Sequence, residues 1–472
     1  MQGMTAGEES VAGEGSAVVS PEWLAERVDK RTSRSIADTI AELIREGTLA
    51  PGTRLPTVRA LAAALGVSPA TVSEAWGVLR ADDLLDTGRR RGTAVRRPHT
   101  SAPSPAPANG GPPSSARWAG VDLAHGQPDP RLLPSLEAAV LAGARGPRLN
   151  SFDKDYITER LLAAVAPTWP HQPQAWTVVA GGYEGSLLAC RSVASAGDAV
   201  AVEEPTAPRL LDALRRIGAR PVPVRCDAHG PLPKELERAL ADDPVAFVYQ
   251  PRAHLPLGHA VTDQRAADLA RVLSRPGVRT LVVEDDNSGP LATAWAPGIG
   301  AHLPDRVVHV RSYCKTYGLD LRSCVVSGPV EQIDRIRAEH AHGMVWTSRI
   351  LQDALAHLIE DPGARRAVAA ARERYAVRRG LLRDALREEG VDVRCEDGLV
   401  LWVPVAQEQS ALLHLASYGV TVAPGSPCHS GTPVPAHVRI AISRLPERPA
   451  PVRELAALVS AAATGATWEE FD

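Results

Sequence analysis

Residues 49–85 read LAPGTRLPTVRALAAALGVSPATVSEAWGVLRADDLL. Thr57 stands ahead of Val58, Leu61 and Leu65, which recur at helical spacing, so a short helix capped by the Thr57 hydroxyl is expected. Gly66-Val67 supplies a turn. Ser68 then caps the next helix, and Pro69 takes its first position, where a missing N–H costs nothing. Val72, Ala75, Trp76 and Leu79 form the buried stripe of that helix. Upstream, Ile36, Ile40, Leu43 and Ile44 predict a helix over 33–47, stopped by Gly47 and Pro51-Gly52. Downstream, residues 84–95 read as a small hairpin with the tip Gly88-Arg89-Arg90-Arg91-Gly92. Helix, helix, turn, helix and a basic-tipped hairpin make a winged helix-turn-helix over residues 31–97.

Such a module needs a narrow capped helix whose first residues are small and polar, to reach base edges in the major groove. Ser68, Thr71 and Ser73 fit that role. It also needs cations for the phosphates, here Arg59 and the wing residues Arg89, Arg90 and Arg91. Over residues 30–97, twelve Lys/Arg stand against seven Asp/Glu, an excess of +5 on a chain of net −3, so the remainder carries −8. A basic module on an acidic body points to a nucleic-acid partner for that module alone, and the winged helix-turn-helix makes that partner double-stranded DNA. The run resembles the GntR family of bacterial regulators through Gly52, Leu55-Pro56, Arg59, Leu61-Ala62, Leu65-Gly66-Val67-Ser68 and Thr71-Val72.

A chain of 472 residues is too long for one ordinary domain. Residues 1–30 open on the polar, acidic MQGMTAGEESVAGEGS, which lacks the apolar core of a secretory signal, and read as a disordered tail. No apolar run reaches 18 residues, so no membrane partner is expected. The six cysteines form no C-x-x-C pair, which speaks against a disulfide framework or a zinc site and for a cytoplasmic setting. Residues 98–117 are rich in Pro, Ser and Gly without periodicity and read as a linker. Fully extended, its roughly 20 residues reach about 60 Å.

From residue 118 to 472 short apolar runs alternate with helical stretches: TVVA (177–180), AVAV (199–202), PVPV (221–224), AFVY (246–249), TLVVE (280–284) and VVHV (307–310). That is a βαβ series, so an α/β unit with a mainly parallel sheet is expected. After about residue 330, LVLWVPV (399–405), VTVA (420–423) and VRIAIS (438–443) suggest a smaller α+β subdomain.

Only four of the 52 basic residues are lysine: Lys30, Lys154, Lys234 and Lys315. Where charge alone is needed, this chain uses arginine. Lys315, just past VVHV in VRSYCKTYGLDLRS, is therefore a candidate for amine chemistry that a permanently protonated guanidinium cannot do. Asp285 is the first of the two aspartates that close TLVVEDD, at the edge of a parallel sheet where ligands bind. Gly181-Gly182-Tyr183 follows a strand and opens a helix, as an anion-binding turn does. Ser312 precedes Lys315 by three residues, Arg322 follows it by seven, and Arg439 lies in VRIAIS.

These runs resemble fold-type I pyridoxal-phosphate enzymes, and specifically the aminotransferase-like domain of the MocR subfamily of GntR regulators. The resemblance implies pyridoxal 5'-phosphate as cofactor, with Lys315 as Schiff-base lysine and Asp285 as partner of the pyridine nitrogen. It implies Ser312, Arg322 and the Gly181-Gly182-Tyr183 turn at the phosphate, and Arg439 as the clamp on an effector's carboxylate. Three positions depart from the pattern. Ala207 stands where relatives carry a ring-stacking aromatic, Leu255 where a polar residue touches the ring hydroxyl, and Asn287, still at the cofactor, where a tyrosine is usual.

Three functions follow. The first is a homodimeric, non-enzymatic regulator whose C-terminal domain senses pyridoxal phosphate or an amino compound and biases its DNA-binding heads. The second is a regulator whose degenerate domain senses another ligand. The third is a working aminotransferase that also binds DNA. The first is preferred, because the eroded ring contacts oppose efficient catalysis while the lysine and phosphate residues remain; one stacking contact is worth only about 0.5–1.5 kcal/mol.

Overall fold

The computed structural model describes residues 19–28, 30–45, 48–50, 52–81, 84–88, 92–95, 118, 120–153, 155–295, 297–343, 345–431 and 434–464. It divides into two compact units that part between Asn109 and Gly110. The wing tip Arg89–Arg91, the 98–117 segment and the first 18 residues lie outside the described residues.

The first unit opens on a helix, α1 (Pro21–Ala25), within the stretch read as a tail. Ser20 caps it by accepting from Trp23 N, Pro21 takes the first position, and Leu24 is fully buried. One turn of helix is too short to carry a periodic signal, which is why the sequence pattern misses it. Then come α2 (Ser33–Arg45), α3 (Val58–Leu65), α4 (Pro69–Ala81) and a hairpin of β1 (Leu85–Gly88) and β2 (Gly92–Val95). The Thr57 hydroxyl accepts from Ala60 N at 3.2 Å, and Ser68 Oγ accepts from Thr71 N at 3.2 Å. Gly66 ends α3 at φ +65°, a backbone state that a side chain disfavours. Leu24, Ile36, Ile40, Leu61, Val72, Trp76 and Leu79 share one core.

The strands of the second unit are β3 (Val121–Asp122), β4 (Ala175–Val179), β5 (Ala199–Glu204), β6 (Arg220–Asp227), β7 (Gly230–Pro231), β8 (Ala246–Tyr249), β9 (Leu281–Asp286), β10 (Val307–Ser312), β11 (Cys324–Gly328), β12 (Val400–Pro404), β13 (Val420–Thr421), β14 (Ala423–Pro424) and β15 (His437–Ala441). Eight form one sheet in the order β4-β11-β10-β9-β8-β5-β6-β7. Its centre, from β10 to β6, is parallel, while β11 runs antiparallel between β10 and β4. The βαβ pattern of the sequence does not mark CVVSG as a strand, because the short Lys315 segment separates it from β10 with no long helix between.

The helices are α5 (Glu137–Gly143), α6 (Glu159–Val165), α7 (Gly182–Val193), α8 (Pro208–Ile217), α9 (Pro233–Ala239), α10 (Asp263–Leu273), α11 (Cys314–Tyr317), α12 (Val330–His340), α13 (Arg349–Glu360), α14 (Pro362–Glu388), α15 (Glu408–Ser417) and α16 (Pro449–Thr464). Strand alternation sorts them onto two faces. Val200, Val202, Val248, Val283 and Val310 pack with residues of α7, α8 and α12. Ala201, Val222, Phe247, Tyr249 and Val282 pack with residues of α9 and α10.

The C-terminal subdomain sets the sheet β12-β15-β14 against α14, α15 and α16. VTVA, expected as one strand, divides: Val420–Thr421 pairs in parallel with β3, and Ala423–Pro424 pairs with β15. Among the described residues no helix is long and apolar enough to cross a membrane.

Candidate functional site

The parallel strands deliver their C-terminal ends to one place. β4 runs out at Val179 and hands the chain to Gly181, the N-cap of α7, at φ +100°. A Cβ built on Gly181 would stand 3.2 Å from Arg322 Cζ, and one on Gly182 would stand 2.9 Å from both Cβ and Oγ of Ser312. The two glycines are thus what lets Ser312 and Arg322 close on the start of a 12-residue helix, whose first N–H groups have no side-chain cap from Gly181. Helix N-terminus, hydroxyl and guanidinium together form an anion cradle. Tyr183 contributes main chain only: its ring is 41% exposed and its hydroxyl donates to Asp212 on α8, which corrects any expectation of its side chain in the cradle. The Glu184 carboxylate turns aside to accept from Ala180 N.

Along β9, Glu284 and Asp286 project to one face and Asp285 to the other. Asp285, 1% exposed, therefore meets α7 and α8: Oδ1 accepts from Ser186 Oγ at 3.1 Å, and Oδ2 pairs with the Arg209 guanidinium. Asn287 follows. With its amide oxygen toward the cations, it accepts from Lys315 Nζ at 2.7 Å and from Arg209 Nη1 at 3.3 Å. Burial, with the Arg209 charge adding to it, pulls the Lys315 amine down to about 7. An amine in that range is neutral, and so nucleophilic, in a large part of the population near pH 7. Burial also brings the Arg209 guanidinium down to about 10, and its Nε is enclosed without a hydrogen-bond partner.

The structure thus brings Gly181, Gly182, Asp285, Asn287, Ser312, Lys315 and Arg322 into one cluster. Arg209 and Ser186 join it without any signal in the sequence. Ser186 lies one helical turn past Gly182 and Arg209 two residues past Ala207, but neither has a composition signal. Ala207 is fully buried in the α7–α8 core, and Leu255 packs against the same core. Leu255 is also held through its main chain, its N donating to Gln250 Oε1 at 3.1 Å. Arg439 sits on β15, half-buried, with Nε donating to Pro424 O at 2.9 Å.

On the opposite face, Asp286 pairs with Arg252 and Arg311. Burial opposes its ionisation, yet the two guanidinium charges hold its carboxyl well below the usual range. These pairs brace the strand end that carries Asp285.

Pyridoxal phosphate asks for an amine, a carboxylate for its ring nitrogen and an anion cradle. The donor set meets all three, and the two glycines leave room where a Cβ on Gly182 would collide with Ser312 and one on Gly181 would crowd Arg322. One feature is added to that set: Asp285 is already paired, with Arg209.

In the first unit Ser68 and Ser73 are exposed at the start of α4, and Arg59 is exposed on α3. Thr71 is half-buried, and its hydroxyl lies 2.9 Å from Ser68 Oγ, so the two hydroxyls engage each other. Arg31 is a further cation that the sequence pattern does not single out. A Cβ on Gly66 would stand 3.2 Å from its Nη1, which places this cation at the turn between α3 and α4.

Residues 120–449 match the family model described as aminotransferase class I and II, and residues 32–95 match that of the bacterial regulatory proteins of the gntR family. The vitamin B6 salvage pathway transcriptional repressor PtsJ of Salmonella typhimurium is 32% identical over 427 residues, covering 89% of this chain and 96% of that protein. The pyridoxine biosynthesis transcriptional regulator PdxR of Corynebacterium glutamicum is 26% identical, over 74% of this chain and 78% of that one. Among solved structures, the α-aminoadipate aminotransferase LysN of Thermus thermophilus, complexed with N-(5'-phosphopyridoxyl)-L-leucine, superposes with a TM-score of 0.64 at 20% identity. It covers 72% of this chain and 92% of its own. That likeness concerns the fold.

Proposed function

The chain belongs to the MocR subfamily, gntR-family regulators that carry a class I and II aminotransferase domain, and we propose that this DNA-binding transcriptional regulator reads pyridoxal phosphate through its larger unit. The observation that carries the proposal is the Lys315 amine, lowered to about 7 and held 2.7 Å from Asn287, whose amide oxygen also receives Arg209, the partner of Asp285. When bound, the cofactor would supply an aldehyde, which an amine can take up, and a ring nitrogen, which a carboxylate can hold. Lys315 presents the amine. Asn287 orients it by accepting one of its protons. Ser312, Arg322 and the main chain of Gly182 and Tyr183 hold the phosphate, and Ser186 fixes the Asp285 carboxylate. Arg439 receives the carboxylate of an amino compound.

Binding favours one arrangement of the DNA-binding heads over another, which requires only that the two arrangements differ in affinity for the ligand. The working form is a homodimer, because helix-turn-helix modules engage paired half-sites. The genes controlled concern vitamin B6 supply, in line with the names of the Salmonella and Corynebacterium relatives.

Absorbance spectroscopy of the full-length protein tests this reading. Added pyridoxal phosphate is expected to give a visible band that borohydride bleaches and that Lys315→Ala lacks. A colourless wild type overturns the proposal. Multiple turnovers of an amino acid and a keto acid would identify a working aminotransferase instead.

A further inference from the structure

Arg209 occupies the place where the ring cation of a bound cofactor would be received. Its guanidinium pairs with Asp285, a carboxylate 1% exposed. A carboxylate so enclosed is too costly to leave unpaired, so a protein that spends time without its ligand needs an internal cation there. Arg209 provides one from the first turn of α8, two residues after Ala207. The same guanidinium reaches Asn287, which also receives Lys315, and its charge helps to lower the Lys315 amine. One side chain thereby holds the acid, the amide and, through space, the amine.

The hold is incomplete. Arg209 Nε is buried without a partner. A guanidinium that made this seat its permanent place would be expected to have all its donors satisfied.

We propose that Arg209 is an internal stand-in for the cofactor's ring cation, exchanged for it on binding, and that this exchange sets how tightly the site takes pyridoxal phosphate. The inference rests on the cofactor reading given above and assigns to Arg209 the tuning of that same site. The exchange is charge for charge: as the ring nitrogen takes over Asp285, the guanidinium leaves, and Asp285 stays paired throughout. Only the fraction of molecules with Arg209 withdrawn can accept the ring, so the measured affinity is reduced by that fraction. If Arg209 is withdrawn in about a tenth of the population, binding weakens about tenfold relative to an empty seat. A site so tuned loads and unloads as cofactor supply changes, as a sensor must.

The test titrates full-length wild type, Arg209→Gln and Arg209→Lys with pyridoxal phosphate, following both visible absorbance and the melting temperature. Arg209→Gln is expected to bind about tenfold more tightly. Its cofactor-free form should melt lower, because Asp285 has lost its partner, and saturating cofactor should raise its Tm by more than it raises that of the wild type. Arg209→Lys, which keeps a charge on a narrower head, should fall between. Equal or weaker binding by Arg209→Gln, with the wild type binding normally, overturns the Arg209 inference and leaves the cofactor reading standing. Binding by Arg209→Gln alone supports the stand-in and overturns the reading of the wild type as a cofactor sensor. No binding by either overturns both. Should Arg209→Gln fail to fold, Arg209→Lys decides: tighter binding than wild type supports the exchange, and equal or weaker binding refutes it.

Discussion

Lys315 Nζ donates to the side-chain oxygen of Asn287 at 2.7 Å, and Arg209 donates to the same oxygen at 3.3 Å. The amide thus holds an amine and a guanidinium side by side. Burial first, and the Arg209 charge second, bring the Lys315 amine to about 7 from its ordinary 10.5. Neutral amine is the reactive form, and its fraction rises as pH passes upward through the pKa. The rate at which full-length protein captures pyridoxal phosphate should therefore climb between about pH 6 and pH 8 and level off above, with its midpoint near 7. Stopped-flow absorbance reads this directly. A rate still rising tenfold per unit at pH 9 would show an amine of ordinary basicity.

Gly182→Ala addresses the cradle. The new methyl would stand 2.9 Å from Ser312 Cβ and Oγ, so Ser312 or the start of α7 must shift. Overpacking of this kind costs about 1–3 kcal/mol. Pyridoxal phosphate should bind at least about tenfold more weakly, whereas pyridoxal, which lacks the phosphate, should lose far less. Equal losses for the two ligands would place the phosphate elsewhere.

Arg59→Ala and Ser68→Ala separate two roles in the DNA-binding unit. Removing the exposed Arg59 cation should weaken DNA binding across sequences and lower the salt slope of log K by about one. Ser68→Ala removes the cap that accepts from Thr71 N at 3.2 Å and should cost about 1 kcal/mol of stability. Fluorescence anisotropy over a salt series, paired with thermal melts, checks both. An unchanged slope for Arg59→Ala would argue against a phosphate contact.

Leu24→Ala tests the helix that precedes the winged helix. Leu24 is fully buried among Ile36, Ile40 and Leu61, and truncating such a side chain costs about 2–5 kcal/mol. The DNA-binding unit should melt well below wild type. A shift under 1 °C would show that α1 adds nothing.

Asp129 gives a pH-dependent contribution. Burial works against its charge, but bonds from Arg131 and Arg378 lower its pKa to about 2. A carboxyl lowered on folding stabilises the protein above its unfolded value near 4, and that contribution disappears as pH falls through 2. It amounts to about 2 kcal/mol. Asp129→Asn should lower stability at pH 7 by about that amount and leave it nearly unchanged at pH 2, as measured by urea unfolding at both pH values.

The sequence is most informative where a residue type is scarce or a pattern is long. Lys315 stands out because only four of 52 basic residues are lysine. The caps Thr57 and Ser68 stand out because each precedes a periodic run. Arg209 does not, being one of the many arginines that make up the rest. Its role depends on Asp285, 76 positions away, and on the alternation that turns Asp285 toward α8 rather than toward Arg252 and Arg311. β11 and α1 are too short, or too close to a neighbour, for periodicity to declare them. The division of VTVA between two sheets depends on β3, two residues long, whose pairing no local rule specifies.

That pairing has a mechanical consequence. β3 is the first strand after the 98–117 segment, yet its partner is Val420–Thr421, about 300 positions further along the chain. Leu123 N adds a bond to Thr421 O, and Ala441 N donates back to Leu123 O. The start of the second unit is therefore anchored in the C-terminal subdomain and not in the eight-stranded sheet whose strand β10 leads into Lys315. Any rotation of that subdomain carries β3 with it, so the first strand of the second unit moves with the last third of the chain and independently of the eight-stranded sheet.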